Sequence, residues 1–172
     1  MVTLRRITNA NDEEFGKLMQ LYTEAFPLEE RRDEEQLKKM LRDEPRMFFN
    51  AVNCDGKLTG LFVYWNFDTF YYLEHLAVYA EMRNVKIGQQ TLDWMKENLE
   101  GLRILEAEPA ETEIATRRIR YYERNGYTVY EKEYLQPAYR PNGDGCRLWV
   151  MCNHEDAGLY EKLEQLKEAV YY

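Results

Sequence analysis

The run of residues from Tyr71 to Gly88 contains the pattern with the clearest chemical consequence. An apolar segment with the composition of a strand is followed by a charged turn and by a helix that begins near Lys86. The first amides of such a helix have no partner within it, and the helix dipole favours negative charge there. Gly88 allows close approach of the backbone, and Arg83 adds a fixed positive charge. The sequence therefore predicts a phosphate or diphosphate site at this junction.

The size and composition of the chain indicate an ordinary globular protein. The 172 residues suit one domain, which we predict over residues 1–172 with a helical extension from about 155 to the end. Hydrophobic residues make up 45% and charged residues 31%, which argues against disorder. The formal charge of −8 and the absence of a long basic block argue against a nucleic-acid partner.

The same survey argues against membranes, metals and disulfides. No segment is long and apolar enough to span a bilayer, and the first residues contain no signal-like apolar region, so we expect no membrane partner and a cytoplasmic location. The three cysteines, Cys54, Cys146 and Cys152, lack CxxC spacing, which argues against a disulfide framework and against zinc. With only His75 and His154 available, we expect no multi-histidine metal site.

Strand and helix patterns alternate along the chain and predict the α/β class. Thr3–Thr8 reads as a strand, and Asn11 is expected to begin a helix with Glu14 as its capping-box partner. Pro27 ends that helix, and Glu29–Asp43 is predicted as a second helix whose charges face solvent.

From Met47 onward the period changes to that of strands, and Asp55-Gly56-Lys57 predicts a hairpin turn. The later elements are then a strand, a helix, a strand, a helix, two strands and a final helix, predicted over Phe70–Val78, Lys86–Leu99, Arg103–Glu108, Thr112–Asn125, Tyr127–Leu135, Cys146–Cys152 and Glu155–Tyr172. A helical crossover between neighbouring strands implies that the strands around Leu76 and Leu105 are parallel.

At two places the chain resembles the GNAT superfamily of N-acetyltransferases. Leu76-Ala77-Val78 followed by the Arg83–Gly88 loop is similar to the family's strand end and its (Arg/Gln)-x-x-Gly-x-(Gly/Ala) motif, although Lys86 stands where a glycine is expected. Tyr122, four residues before the Gly126-Tyr127 pair, matches a second family element. The resemblance extends from the first strand to about Val150, and it implies a mixed central sheet of six to seven strands flanked by helices.

The resemblance also implies a cofactor and a reaction. It implies transfer of an acetyl group from acetyl-CoA to a primary amine of a small molecule or peptide, by direct attack in a ternary complex. The residues placed along the cofactor are Leu76, Ala77, Val78, Arg83, Asn84, Val85, Lys86, Ile87, Gly88 and Gln89. An antibiotic, a polyamine, an amino acid and a protein N-terminus all stay open as the acceptor. The alternative is a non-catalytic acyl-CoA-binding or protein-interaction module on the same fold, which Lys86 in the glycine position favours.

Catalytic candidates follow once Leu76 and Val78 are placed along the cofactor. Alternation along a strand puts Glu74 on their face and His75 on the other, so Glu74 is the predicted base and His75 a packed residue. Glu106, on the next strand, and a chain of waters are the other candidates for the base. Tyr122 is the predicted acid that protonates the departing thiolate.

The acceptor side is expected to lie near two further segments. Glu29–Arg32, after Pro27, could receive a cationic amine, and the aromatic loop Tyr134–Tyr139 could form another wall. The final helix, with Tyr171 and Tyr172, could pack within one chain or across a homodimer, and both packings stay open.

Overall fold

A computed structural model of the chain describes residues 1–171. The strands of this part are β1 (Val2–Arg6), β2 (Met47–Cys54), β3 (Lys57–Asn66), β4 (Tyr71–Val78), β5 (Arg103–Ala107), β6 (Thr128–Gln136) and β7 (Cys146–Cys152). Its α-helices are α1 (Phe15–Ala25), α2 (Glu34–Asp43), α3 (Ile87–Asn98), α4 (Glu113–Arg124) and α5 (Leu159–Val170), and short 3₁₀ helices cover Leu28–Glu30 and Ala80–Val85. This alternation confirms the predicted α/β class.

The seven strands form one mixed sheet in the order β1-β2-β3-β4-β5-β7-β6. The pairs β1–β2, β2–β3, β5–β7 and β6–β7 are antiparallel. Helix α3 lies between β4 and β5 along the chain, as predicted for a crossover connection. That these two strands run in the same direction stays a prediction.

Contacts within the described residues group into two compact units. The first consists of Met1–Phe67 and Leu73–Glu100, and the second consists of Asp68–Tyr72 and the chain from Gly101 onward. That residues 1–172 form one domain stays a prediction.

The first unit contains the early hairpin and the helix that packs on it. Strands β2 and β3 are joined by Asp55 and Gly56, whose φ angles of 51° and 80° suit the two-residue turn that this dipeptide favours. Helix α1 buries Leu18 and Tyr22, and the Tyr22 ring lies 6.2 Å from the ring of Phe49 on β2. The helix ends at Ala25, before Pro27, as predicted.

The predicted start of α1 was wrong. The helix begins at Phe15, and no side chain caps its first turn. Asp12 Oδ1 instead accepts the Glu14 amide at 3.0 Å, which closes a turn before the helix. The Glu14 carboxylate accepts a hydrogen bond from Arg5 Nη2 at 2.7 Å, so it does not reach back to the Asn11 amide as a capping box requires.

The charged run Glu29–Asp43 is not one helix with a solvated face. A 3₁₀ turn ends at Glu30, and α2 begins only at Glu34 because Asp33 and Gln36 form a capping box in front of it. The residues between these helices are extended, and Arg32 turns inward to become 3% exposed. The prediction that these charges face solvent is therefore wrong for Arg32.

The second unit contains the later strands, α4 and α5. Thr112 caps α4 by accepting the Ala115 amide at 3.1 Å, and Gly126 follows that helix with a φ of 93°, which glycine adopts at low cost. One side of α5 is buried, as predicted, through Leu159, Leu163, Leu166 and Val170. Tyr171 continues this buried side at 1% exposure, so it packs within the chain. Tyr172, the other half of that prediction, lies outside the described residues.

Candidate active site

The predicted anion site is a break between two helices. The 3₁₀ helix Ala80–Val85 leads into Lys86, whose φ of 58° and ψ of 35° are left-handed, and α3 begins at Ile87. A side chain in this conformation costs about 1–2 kcal/mol, whereas glycine adopts it freely. The left-handed backbone at Lys86 explains why a glycine is expected at this position.

The start of α3 is suited to a negative charge. No side chain caps it, and its first turn contains no acidic residue. The first bond of the helix runs from the Gln90 amide to the Lys86 carbonyl at 3.0 Å, so the amides just before Gln90 point out of the helix end. Arg83 and Lys86 are exposed beside it, while Ile87 is buried and anchors the turn. The junction can therefore hold an anion such as a diphosphate.

Strand β4 shows the predicted alternation. Leu73, His75 and Ala77 are buried, and the residues between them are partly exposed. The Glu74 side chain is 0% exposed, so what remains accessible at Glu74 is main chain. Accessible backbone along a strand can pair with an extended ligand.

The Glu74 carboxylate forms a buried ion pair. Arg32 Nη1 lies 2.9 Å from its Oε2 and 3.1 Å from its Oε1, and Trp65 Nε1 donates to Oε1 at 2.9 Å. Burial alone would raise the pKa of Glu74, but the Arg32 charge and the hydrogen bonds from Arg32 and Trp65 outweigh burial and hold the pKa below its ordinary value. Glu74 is therefore ionised, and both of its oxygens accept hydrogen bonds.

The neighbouring residue, His75, packs against the loop from Glu30 to Arg32. Its Nε2 lies 2.9 Å from the Glu30 carbonyl oxygen, and its ring lies 4.4 Å from that of Phe26. Burial lowers the pKa of His75 although the Glu74 charge raises it, so the ring is neutral near pH 7. The Arg32 amide also donates to the Tyr22 hydroxyl at 3.1 Å. The prediction that His75 is a packed residue is consistent with this, and the loop from Glu30 to Arg32 is fixed to β4 and α1.

A second buried carboxylate, Glu106 on β5, lies among tyrosines in the second unit. Its Oε1 accepts hydrogen bonds from the hydroxyls of Tyr72 and Tyr171 and, at 3.0 Å, from Gln136 Nε2. The two hydroxyls are 2.8 Å apart, and Gln136 Nε2 also lies 3.0 Å from the Tyr171 hydroxyl. Each hydroxyl has one proton and gives it to Oε1, so of these groups only Gln136 Nε2, which has two protons, also donates to the Tyr171 hydroxyl.

The other Glu106 oxygen differs from the first. Within residues 1–171, Oε2 and the Tyr134 hydroxyl are both buried and neither makes a hydrogen bond of ordinary length, although the Tyr134 hydroxyl faces Glu106. Burial raises the pKa of Glu106 even though the tyrosine hydrogen bonds lower it. Burial, together with the nearby Glu106 charge, raises the pKa of Tyr134. Glu106 as a residue keeps part of its surface exposed, although the carboxylate itself is buried.

The predicted acid, Tyr122, lies near the end of α4. Its ring lies 5.9 Å from that of Tyr121 and 6.1 Å from that of Tyr127. Burial raises the pKa of Tyr122, although the nearby Arg118 charge lowers it, so the hydroxyl keeps its proton near neutral pH. Arg117, on the same helix, pairs with Glu113 at 2.7 Å on the surface.

Sequence reasoning missed Trp65, Gln136, the role of Arg32 as the partner of Glu74, and the role of Tyr171 in the Glu106 group. One signal was available for Arg32, because the Asp33-x-x-Gln36 pattern marks a helix start and leaves Arg32 outside the helix. Nothing local marks Tyr171, which meets Glu106 across 65 positions of sequence. No helix within residues 1–171 has the length and apolar character needed to cross a membrane.

Comparisons with known proteins agree with this architecture. The family model of the GNAT acetyltransferases matches residues 15–127. A structure from Bacteroides thetaiotaomicron, described as a GNAT-family acetyltransferase, superposes with a TM-score of 0.92 at 32% identity over 98% of both chains. No curated protein matches the chain.

Two more distant structures share the fold. An aminoglycoside 6′-N-acetyltransferase with coenzyme A has a TM-score of 0.59 at 18% identity, over 87% of this chain and 95% of that one. A GNAT-family acetyltransferase from Elizabethkingia anophelis with acetyl-CoA bound has a TM-score of 0.56 at 14% identity, over 90% and 98%.

Proposed function

Because the chain belongs to the GNAT family of acetyltransferases, we propose that it moves the acetyl group of acetyl-CoA to a primary amine, by direct attack in a ternary complex. The observation that carries this proposal is the uncapped start of α3 behind a left-handed Lys86. The acceptor is a small-molecule or peptide amine, and the reaction is placed in the cytoplasm.

The residues of the junction fit the cofactor. Amides and side chains of residues 83–89 would hold the diphosphate, and the main chain of residues 76–78 would pair with the pantetheine arm. The accessible main chain at Glu74, on the same strand, supports the proposal that this strand can pair with the pantetheine arm. Lys86 does not distort the turn, since its backbone has the conformation of a glycine, and its exposed ammonium can reach a phosphate.

We assign the base to Glu106 rather than to Glu74. The Glu74 oxygens accept from Arg32 and Trp65, and the lowered pKa makes this carboxylate a weak base. Glu106 has a raised pKa and an oxygen, Oε2, that makes no hydrogen bond of ordinary length with the described residues. A base whose pKa lies closer to the working pH takes a proton more effectively.

The proposed steps move protons between named atoms. The acceptor ammonium gives one proton to Glu106 Oε2 and becomes a neutral amine, whose nitrogen forms a bond to carbon as the carbon–sulfur bond breaks. Acetyl-CoA supplies the thioester for this exchange. Main-chain amides near Val78 polarise the carbonyl, and the Tyr122 hydroxyl gives its proton to the departing sulfur. The nitrogen passes its remaining excess proton through solvent to the Tyr122 oxygen, and Glu106 Oε2 releases to solvent the proton that it took, so both groups are restored.

Titration calorimetry with acetyl-CoA tests the binding half of the proposal. We expect one cofactor per chain, and Arg83→Glu should weaken binding because it places a negative charge beside the diphosphate. Arg117→Glu is the matched control, since Arg117 is an exposed arginine that pairs with Glu113 on the surface of α4. No binding at millimolar acetyl-CoA would contradict the proposal.

A thiol-release assay tests the transfer half. It should be run with an aminoglycoside, a polyamine, an amino acid and a peptide with a free N-terminus. Thiol release that depends on one of these amines supports the enzyme. Tight cofactor binding without transfer to any of them would instead favour the non-catalytic binding module, for which Lys86 and the ion-paired Glu74 are the favouring observations.

A further inference from the structure

The C-terminal part of the chain contributes several groups to the surroundings of Glu106. The family match ends at residue 127, and Tyr134, Gln136 and Tyr171 all lie beyond it. Tyr171 directly follows α5, a helix outside the resemblance noted in the sequence. Its hydroxyl nevertheless donates to Glu106 Oε1.

We propose that Tyr171 is a positioning residue for the acetyl transfer: with Tyr72 and Gln136 it holds Oε1 of Glu106, so that Oε2 is the oxygen that takes the acceptor's proton. This inference rests on the proposed function. In the step concerned, the acceptor ammonium loses one proton, Oε2 gains it, and the carboxylate becomes a neutral carboxylic acid.

The asymmetry of the carboxylate carries the argument. Three donors converge on Oε1, while Oε2 makes no hydrogen bond of ordinary length with the described residues; the Tyr134 hydroxyl faces Glu106 without completing one. An oxygen that already accepts three hydrogen bonds has little capacity for another proton donor, so a proton arriving at Glu106 goes to Oε2.

The Tyr171 hydroxyl is itself held in place. It lies 2.8 Å from the Tyr72 hydroxyl and 3.0 Å from Gln136 Nε2. The ring packs edge to face against Tyr139 at 5.0 Å and is 1% exposed, and the preceding Leu166 is fully buried. A hydroxyl fixed by both its ring and its partners can fix the carboxylate in turn.

The groups around Glu106 determine whether loss of the Tyr171 hydroxyl raises or lowers the pKa of Glu106. The titratable groups that face it are Tyr72 on β4, Tyr134 on β6 and Tyr171, and Tyr139 lies behind Tyr171. Two charged side chains of α5 also reach this region: Lys167 Nζ lies 5.0 Å from the Tyr134 ring, and the Glu164 charge acts on Tyr134. A hydroxyl that donates to a carboxylate favours its charged form, so removal of the Tyr171 hydroxyl should raise the pKa of Glu106.

The test compares two tyrosines at opposite ends of α5. Tyr171→Phe removes a donor to Glu106, and the control Tyr160→Phe removes an exposed hydroxyl that donates to Glu131 at 2.8 Å. Carbon-13 NMR follows the side-chain carboxyl of Glu106, whose signal is assigned by its loss in Glu106→Gln. We expect the titration midpoint to rise by about one pH unit in Tyr171→Phe and to stay unchanged in Tyr160→Phe.

The same variants give a kinetic readout. The acidic limb of the kcat/KM profile should move to higher pH by the same amount in Tyr171→Phe, while acetyl-CoA affinity by calorimetry stays constant. If Tyr171→Phe does not fold, Gln136→Met removes another donor to Oε1 and should shift both readouts in the same direction.

The outcomes separate the inference from the function on which it rests. An unchanged Glu106 titration in folded Tyr171→Phe overturns the positioning role and leaves the acetyltransferase proposal standing. A shifted titration in a protein whose wild type acetylates no amine overturns the proposed function, and the catalytic role of Tyr171 with it.

Discussion

The ion pair between Arg32 and Glu74 gives the sharpest prediction about stability. Their side chains are 3% and 0% exposed, so neither charge is solvated when its partner is removed. Breaking one side of such a pair costs about 3–5 kcal/mol, because an uncompensated charge stays buried. Arg32→Met keeps most of the apolar side chain and removes the charge. For a chain of this length, we expect the Tm to fall by about 6–20 °C.

Urea unfolding followed by tryptophan fluorescence measures this cost, because Trp65 donates to Glu74 and reports on the site. The matched control is Arg5→Met, since Arg5 also pairs with carboxylates but its side chain is 48% exposed, and the expected cost is below about 1 kcal/mol. The double variant Arg32→Met/Glu74→Gln removes both charges and keeps an acceptor for Trp65. It should recover most of the lost free energy of unfolding.

The stabilisation by this pair should also depend on pH. The pKa of Glu74 is below 4.5 in the folded chain, so the pair stabilises the fold above about pH 4.5 and loses its effect as pH falls through the folded value. The difference between wild type and Arg32→Met should therefore shrink in acid. A cost equal to that of Arg5→Met, with no recovery in the double variant, would refute the reasoning.

Three further changes test single parts of the structure. Lys86→Gly should raise the free energy of unfolding by up to about 1 kcal/mol, because glycine adopts the left-handed backbone at this position without strain. The control Lys96→Gly, within α3, should lower it by about as much. Urea titrations compare the two variants, and a lower free energy of unfolding in both would contradict the argument. Because the pKa of Glu106 is raised in the fold, wild type should lose stability as pH rises above 4.5. In thermal melts, Glu106→Gln should therefore be more stable than wild type at pH 8 and equally stable near pH 4. A stability difference that does not change with pH would be the contrary result. Tyr122→Phe should lower kcat about 100-fold with little change in acetyl-CoA affinity, and unchanged turnover, as expected for the neighbouring Tyr121→Phe, would remove Tyr122 from the mechanism.

Local chemistry explains which parts of the fold could be predicted from sequence. The Asp55-Gly56 turn and the end of α1 before Pro27 depend on φ preferences of single residues, and both were predicted. The junction at Lys86 was also predicted, because a strand followed by a helix start is visible within a few residues.

The failures depend on contacts between distant residues. Asn11 and Glu14 have the spacing of a capping box, but Arg5 on β1 takes the Glu14 carboxylate. In the sequence, Arg32 is one of many charged residues, and its burial is explained only by its ion pair with Glu74, 42 positions away. Tyr171 meets Glu106 only after the chain has folded. Periodicity reports which face of an element is buried, and it does not report which distant side chain is there.

The central claim is that the turn from Arg83 to Gln89 holds the diphosphate of acetyl-CoA, and a crystal structure of the full chain with coenzyme A tests it most directly. We predict density for the diphosphate within hydrogen-bonding distance of the main-chain nitrogens at the start of α3, with the Lys86 side chain directed away from the turn or toward a phosphate. A Lys86 side chain that fills the turn, with the nucleotide bound elsewhere or not at all, would contradict the account.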